Sequence, residues 1–240
     1  MAEPQRLDGG NMGEVWRVDD AVRRPAGDWT PAIHRLLSCL AAAGVPGVPA
    51  PLSIEADGTE LVGYVEGVVP AYPMPTWVWD EAALVSAARL LRAVHDATAG
   101  LDLPGPWRSP VREPAEVICH NDFAPYNLVF ERGDVVGAID WDYASPGPRL
   151  WDLAYLAYRI VPLSDHDRAD AFLDGERRQR LDLLLATYGS SAEPDELLAV
   201  VRERLVELAA FSDRMAVELG RPELHEHAAG YRHDAETPFW

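Results

Sequence analysis

The stretch "CHNDFAPYNLVF", Cys119–Phe130, sets His120, Asp122 and Asn127 just ahead of an apolar β-type run. A second run, "VVGAIDWD" (Val135–Asp142), carries another carboxylate, Asp140. The residues between them, "ERGD", suit a tight turn, so the two runs read as a hairpin. Antiparallel pairing brings the start of one strand beside the end of the next. Asn127 and Asp140 then become neighbours, with Asp122 on the adjoining loop. Three oxygen-bearing side chains at one sheet end suit a hard cation such as Mg²⁺, which takes few protein ligands and fills the rest with water and phosphate. Asp122 suits a base, or an orienting group, for a hydroxyl.

Working outward, the chain before Gly67 is strand-rich with one helix. "EVWRVDDAVRRP" reads as two short strands around an Asp19-Asp20 turn. "TPAIHRLLSCLAAAG" reads as a helix capped by Thr30, with Pro31 in its first turn and Gly44 at its end. Ile33, Leu36, Leu37 and Leu40 form its apolar face. Two more strands flank an Asp57-Gly58 turn. Beyond Gly67 the pattern is helical: "DEAALVSAARLLRAVHDAT" is amphipathic with Asp80 at its cap, and the chain from Leu150 onward is mostly helix. The expected fold class is α+β, with a small strand-rich lobe over 1–67 and a larger, mostly helical lobe over 68–240.

The 240 residues are 48% hydrophobic and 25% charged, the balance of a globular protein with a sizeable core. The formal net charge of −18 sets the surface against nucleic acid and anionic membranes. It suits a cationic small molecule, and equally it suits solubility alone. No apolar run is long enough for a membrane span, and the polar N-terminus has no secretory pattern. Cys39 and Cys119 make no metal-type pair. A reduced, cytoplasmic protein is the expectation.

His120-x-Asp122-x-x-x-x-Asn127, followed by Ile139-Asp140, resembles the catalytic core of the aminoglycoside phosphotransferase family, which has a bilobal protein-kinase-like fold. The resemblance implies a kinase that moves the γ-phosphate of ATP or GTP, with Mg²⁺, to a hydroxyl of a small acceptor, cationic ones such as an aminoglycoside or an amino alcohol included. It implies Asp122 as the catalytic aspartate, Asn127 and Asp140 as metal ligands, and His120 as a brace for the loop. "WDLAY" (Trp151–Tyr155) resembles the helix start after the metal site, where Asp152 would hold the catalytic loop. Asn121 stands where protein kinases carry an arginine, and no activation-loop-sized segment follows Asp140. Both favour a small-molecule kinase.

On the nucleotide side, "DGGNMGEVWRV" offers Gly10 and Gly13 as a phosphate-facing turn, with Asp8 where the kinase pattern has its first glycine. On the next strand Arg23 is the first choice for a phosphate cation and Arg24 the second, since successive side chains face opposite ways. The helix glutamate that kinases pair with this cation is missing; His34 lies near its place. "LVGYVEG" would carry the hinge, with Tyr64, Val65 and Glu66 at the adenine. On the acceptor side, the helix containing Leu197, Val200, Val201 and Leu205 has acids that would either line a pocket for amines or face solvent. Asp142 would support the site or touch substrate. Two rivals stand beside the kinase reading: a non-catalytic kinase-like binding protein, and a metal-dependent hydrolase, for which the extra clustered ligands are missing.

Overall fold

The computed structural model of the chain describes residues 4–7, 14–164 and 174–240. The N-terminal part is one antiparallel sheet of β1 (Gln5–Leu7), β2 (Val15–Val18), β3 (Ala21–Pro25), β4 (Pro51–Ile54) and β5 (Thr59–Gly63), in the order β1-β2-β3-β5-β4. Helix α1 (Thr30–Ala42) connects β3 to β4. Its buried face is Ile33, Leu36, Leu37 and Leu40, as the 3.6-residue period demands. Gly44, at φ +76°, ends it; the Val45 N–H reaches back to the Leu40 carbonyl at 3.0 Å. Thr30 does not cap the helix. It sits in the first turn, and its hydroxyl accepts a bond from the Gly27 N–H at 2.9 Å, which orders the preceding loop. The expected Asp57-Gly58 turn closes the β4–β5 hairpin, with Asp57 Oδ1 accepting from the Thr59 N–H and hydroxyl.

The C-terminal part is mostly helical: α2 (Glu81–Thr98), α3 (Arg149–Ile160), α4 (Asp174–Tyr188), α5 (Pro194–Glu218) and α6 (Leu224–Glu236). Asp80 stands at the N-cap of α2 without a side-chain capping bond. Two small ribbons lie between α2 and α3. One pairs β6 (Val117–Cys119) with β9 (Ser145–Gly147), and the other is the expected hairpin of β7 (Leu128–Glu131) and β8 (Asp134–Ala138). The main core runs through the buried faces of α1, α2, α3 and α5 and the apolar face of the hairpin. Among the described residues, no helix is long and apolar enough to cross a membrane.

Two contacts form on the hairpin, the second of which joins the two parts. Val68 exchanges backbone bonds with Phe130, at 2.9 and 2.8 Å. Gly47, between α1 and β4, lies face to face with Gly137 of β8, and its carbonyl accepts from the Ala138 N–H at 3.0 Å. A methyl group on Gly47 would stand 1.9 Å from the Val136 carbonyl oxygen. Only glycine fits so close an approach, here at φ +63°.

Candidate active site

Asp122 leaves β6 on a short loop, and a single 3-10 turn, Pro125–Asn127, carries the chain into β7. This geometry lets Asn127 turn back on the loop. Its Nδ2 donates to the Asp122 carboxylate at 2.8 Å and to the Asp122 carbonyl at 3.0 Å. With the amide nitrogen so engaged, the amide oxygen is the group that could hold a cation. The Asn127 carbonyl accepts from the Ile139 N–H at 2.9 Å, which sets Asp140 alongside. Asp140 adopts a left-handed backbone, φ 60° and ψ 62°, and its carboxylate is 45% exposed. Hairpin register thus brings Asp122, Asn127 and Asp140 to one place. The donor set is an amide oxygen and a carboxylate beside a second carboxylate, which fits Mg²⁺ and not a softer metal.

Burial pushes the Asp122 carboxyl above the ordinary range, and the nearby Asp140 charge adds to this; the Tyr126 hydroxyl, donating to Asp122 Oδ1 at 2.8 Å, works against it. His120 is fully buried behind the loop. Its Nδ1 accepts from the Asp122 N–H at 3.2 Å, so Nε2 bears the hydrogen donated to the Ile139 carbonyl at 3.0 Å. One ring therefore ties the Asp122 loop to the Asp140 segment. Asp152, also fully buried, accepts from the backbone N–H groups of His120 (2.7 Å) and Asn121 (2.8 Å) and lies 3.3 Å from His95 Nε2. Burial works to raise its pKa, but the bond and charge of His95 outweigh that and hold Asp152 below the ordinary range. His95, Cys119 and Asp152 cluster tightly. Asp152 already spends both oxygens on the loop, and burial pushes the Cys119 thiol well up, so the cluster is a brace rather than a metal centre.

From the sheet above, one arginine reaches this centre, and it is Arg24. On β3, Val22 and Arg24 share the inner face, while Arg23 points outward and pairs with the exposed Asp57 at 2.6 Å. Arg24 lies 3.2 Å from Asp140 and 2.6 Å from Asp142, and its Nε donates to Glu60 at 2.9 Å. Although burial opposes its charge, Asp142, Glu60 and Asp140 together hold the guanidinium above its usual pKa. Glu60 answers the question of the missing helix glutamate. It is 1% exposed, sits on β5 directly opposite Arg24, and receives His34 of α1 at 2.7 Å on its other oxygen.

Gly10 and Gly13, with Asp8, lie outside the described residues. Tyr64, Val65 and Glu66 follow β5; the Tyr64 N–H donates to the Asp20 carbonyl, Arg17 stacks 3.7 Å over the Tyr64 ring, and Arg17 pairs with Glu66 at 2.5 Å. Val65 lies against Gly137. Trp141 is buried against His120, and Tyr143 packs edge-on to Phe211 of α5. Three residues near the site carry weight that sequence reading missed. Tyr126 bonds Asp122 and also Tyr155, at 2.7 Å. Arg204 of α5 donates to the Asn121 carbonyl, bracing the loop from behind. Arg159 of α3 sits among tyrosines close by. Arg204 was detectable as a charged residue on the apolar stripe that Leu197, Val201 and Leu205 mark.

The chain is similar to known proteins over most of its length. A family model described as the phosphotransferase enzyme family (APH) matches residues 101–194. The trifolitoxin immunity protein of Rhizobium leguminosarum bv. trifolii is 33% identical over 196 residues, covering 77% of this chain and 74% of that protein. Among solved structures, an ethanolamine kinase of Plasmodium vivax superposes with a TM-score of 0.72 at 13% identity, covering 98% of this chain and 82% of its own. An amicoumacin kinase solved with AMP-PNP and Ca²⁺ superposes with a TM-score of 0.70 at 11% identity, over 99% and 89% of the two chains. These likenesses establish a shared kinase-like fold.

Proposed function

The chain belongs to the phosphotransferase enzyme family, and from that premise we propose that it transfers the γ-phosphate of ATP or GTP to a hydroxyl of a small molecule. The observation that carries the reading is the Asp122–Asn127 bond beside Asp140, with Arg24 reaching the same point from the sheet. A pure binding protein has no need of that convergence. Asn127 and Asp140 would hold Mg²⁺, which supplies neutralising charge to the triphosphate. Arg24 adds a cation for the phosphates in place of Arg23, its fork held by Glu60. Asp122 orients the acceptor hydroxyl and takes its proton, while His120, Asp152 and Arg204 keep its loop still. Positioning and electrostatics carry the catalysis. Gly10, Gly13 and the Tyr64–Glu66 hinge remain our assignments for the phosphate turn and the adenine edge. The lobe boundary at Gly67 is supported by the crossing at Val68.

Aminoglycosides and amino alcohols are the acceptors that the family resemblance suggests, and the Rhizobium relative's name adds toxin immunity to the purposes the reaction would serve. Two of the acids on α5 are engaged elsewhere, Glu207 with Arg112 and Asp213 with Arg232 and His225. The test is Mg²⁺-dependent ADP release across a panel of small alcohols, with ³¹P NMR of the product. A phosphate ester on an alcohol supports the reading. Nucleotide binding without transfer on any acceptor favours the binding protein, and turnover without nucleotide favours the hydrolase.

A further inference from the structure

Arg159, in the last turn of α3, has no acid paired with it among the described residues. Its guanidinium is half-buried among tyrosines: Tyr158, Tyr155, Tyr231 and Tyr126 have ring centroids 4.7, 5.4, 5.7 and 6.0 Å away. Its hydrogen bonds go to the hydroxyls of Tyr231 (2.9 Å), Tyr72 (3.3 Å) and Tyr155 (3.4 Å). Its Nε is buried with no partner. Among the described residues no carboxylate lies within ion-pair distance of it, in a chain with 39 acids against 21 lysines and arginines. The acid in the cluster, Asp234, is bonded by Tyr158 at 2.6 Å. By contrast Arg24, Arg112 and Arg149 all have carboxylates. A partly desolvated guanidinium with only neutral partners is a strong site for an anion, and its planar fork matches a carboxylate.

The position gives that anion a purpose. Tyr155 and Tyr126 link Arg159 to Asp122 by three successive hydrogen bonds, so Arg159 Nη2 lies within about 9 Å of Asp122 Oδ1. One small molecule can therefore meet both groups, its hydroxyl at Asp122 and an anionic oxygen at Arg159. We propose that Arg159 receives a carboxylate on the acceptor, so that the acceptor is a small hydroxy acid rather than a simple amino alcohol. The inference rests on the kinase reading and names its substrate class.

The test has two arms. In the first, serine and glycerate are compared with ethanolamine and choline in Mg²⁺-ATP-dependent transfer; serine and ethanolamine differ only by the carboxylate. The expected result is at least a tenfold preference in kcat/KM for the acids, lost in Arg159→Met through KM while the KM for ATP stays put. In the second arm, inorganic phosphate is titrated into the free protein and the Mg²⁺-AMP-PNP-loaded protein, read by calorimetry. Saturable binding is expected, weakened at least tenfold in Arg159→Met, less in Arg159→Lys, and unaltered in the surface variant Arg221→Met. If Arg159→Met fails to fold, Arg159→Lys and the wild-type acid preference carry the decision. Equal phosphate binding in wild type and variants, no saturable binding, or a preference for ethanolamine or choline overturns the proposal. Failure to bind Mg²⁺-AMP-PNP would instead overturn the kinase reading, and the phosphate titration of the free protein would still report on Arg159.

Discussion

Arg24 and Glu60 stand directly opposite each other on neighbouring antiparallel strands, joined by a 2.9 Å hydrogen bond, and the same arginine reaches Asp140 in the other half of the molecule. The ion pair that kinases build between a strand and a helix is here built between two strands, with His34 as the helix's contribution. Cross-strand partners are held by ladder register, so the fork is aimed without help from a mobile helix.

Arg24→Met should therefore weaken Mg²⁺-ATP binding by roughly 10- to 100-fold, the worth of a charged hydrogen bond. Glu60→Ala should cost about 2 kcal/mol of stability, the worth of one charged hydrogen bond, since Arg24 keeps Asp140 and Asp142. Nucleotide titration and urea denaturation check the two. Near-wild-type affinity in Arg24→Met would return the phosphate role to Arg23.

Asp122→Asn should lower kcat by about 10²–10⁴, the range for a lost general base, with the nucleotide KM within about threefold of wild type. Steady-state kinetics on any accepted alcohol decides it. Wild-type turnover would take Asp122 out of the reaction.

The outline of this site was legible because its parts are close in sequence and joined by a hairpin. His120, Asp122, Asn127 and Asp140 needed only a turn prediction to converge. Arg24 was open to the same logic. Val22 faces the core, so the residue two further on shares its face; Glu60 and Val62 repeat the pattern on β5. A charge on the apolar face of a strand is the signal that was passed over. Arg159 and Tyr231 were beyond reach, since they meet across separate helices and no local period records such an encounter. Thr30 misled because a threonine at a helix start suits the cap and the first turn equally well.

Asp152 gives a pH prediction. Its folded pKa lies below the unfolded value of about 4, so it contributes stability above that value and loses it as pH falls through the lower, folded value. Asp152→Asn should be less stable at pH 7 by about 3 kcal/mol, as for a broken buried network, and its stability should fall less steeply in acid. Denaturation at a series of pH values compares the slopes; parallel curves would contradict the assignment.

Gly47→Ala should destabilise by about 3 kcal/mol, from overpacking against the Val136 carbonyl together with a left-handed backbone. Thermal melting measures it. An unchanged melting temperature would mean that the two parts are not in contact there.

That glycine pair also limits how the molecule opens. Two backbones touching without side chains between them act as a pivot, and a lever turning on it travels least near its fulcrum. Asp140, three residues beyond Gly137, lies near the axis, whereas β1, at the edge of the sheet, rides at the far rim. Breathing between the halves would thus sweep the outer strands through a wide arc to admit a nucleotide, while Asp140 stays nearly in place.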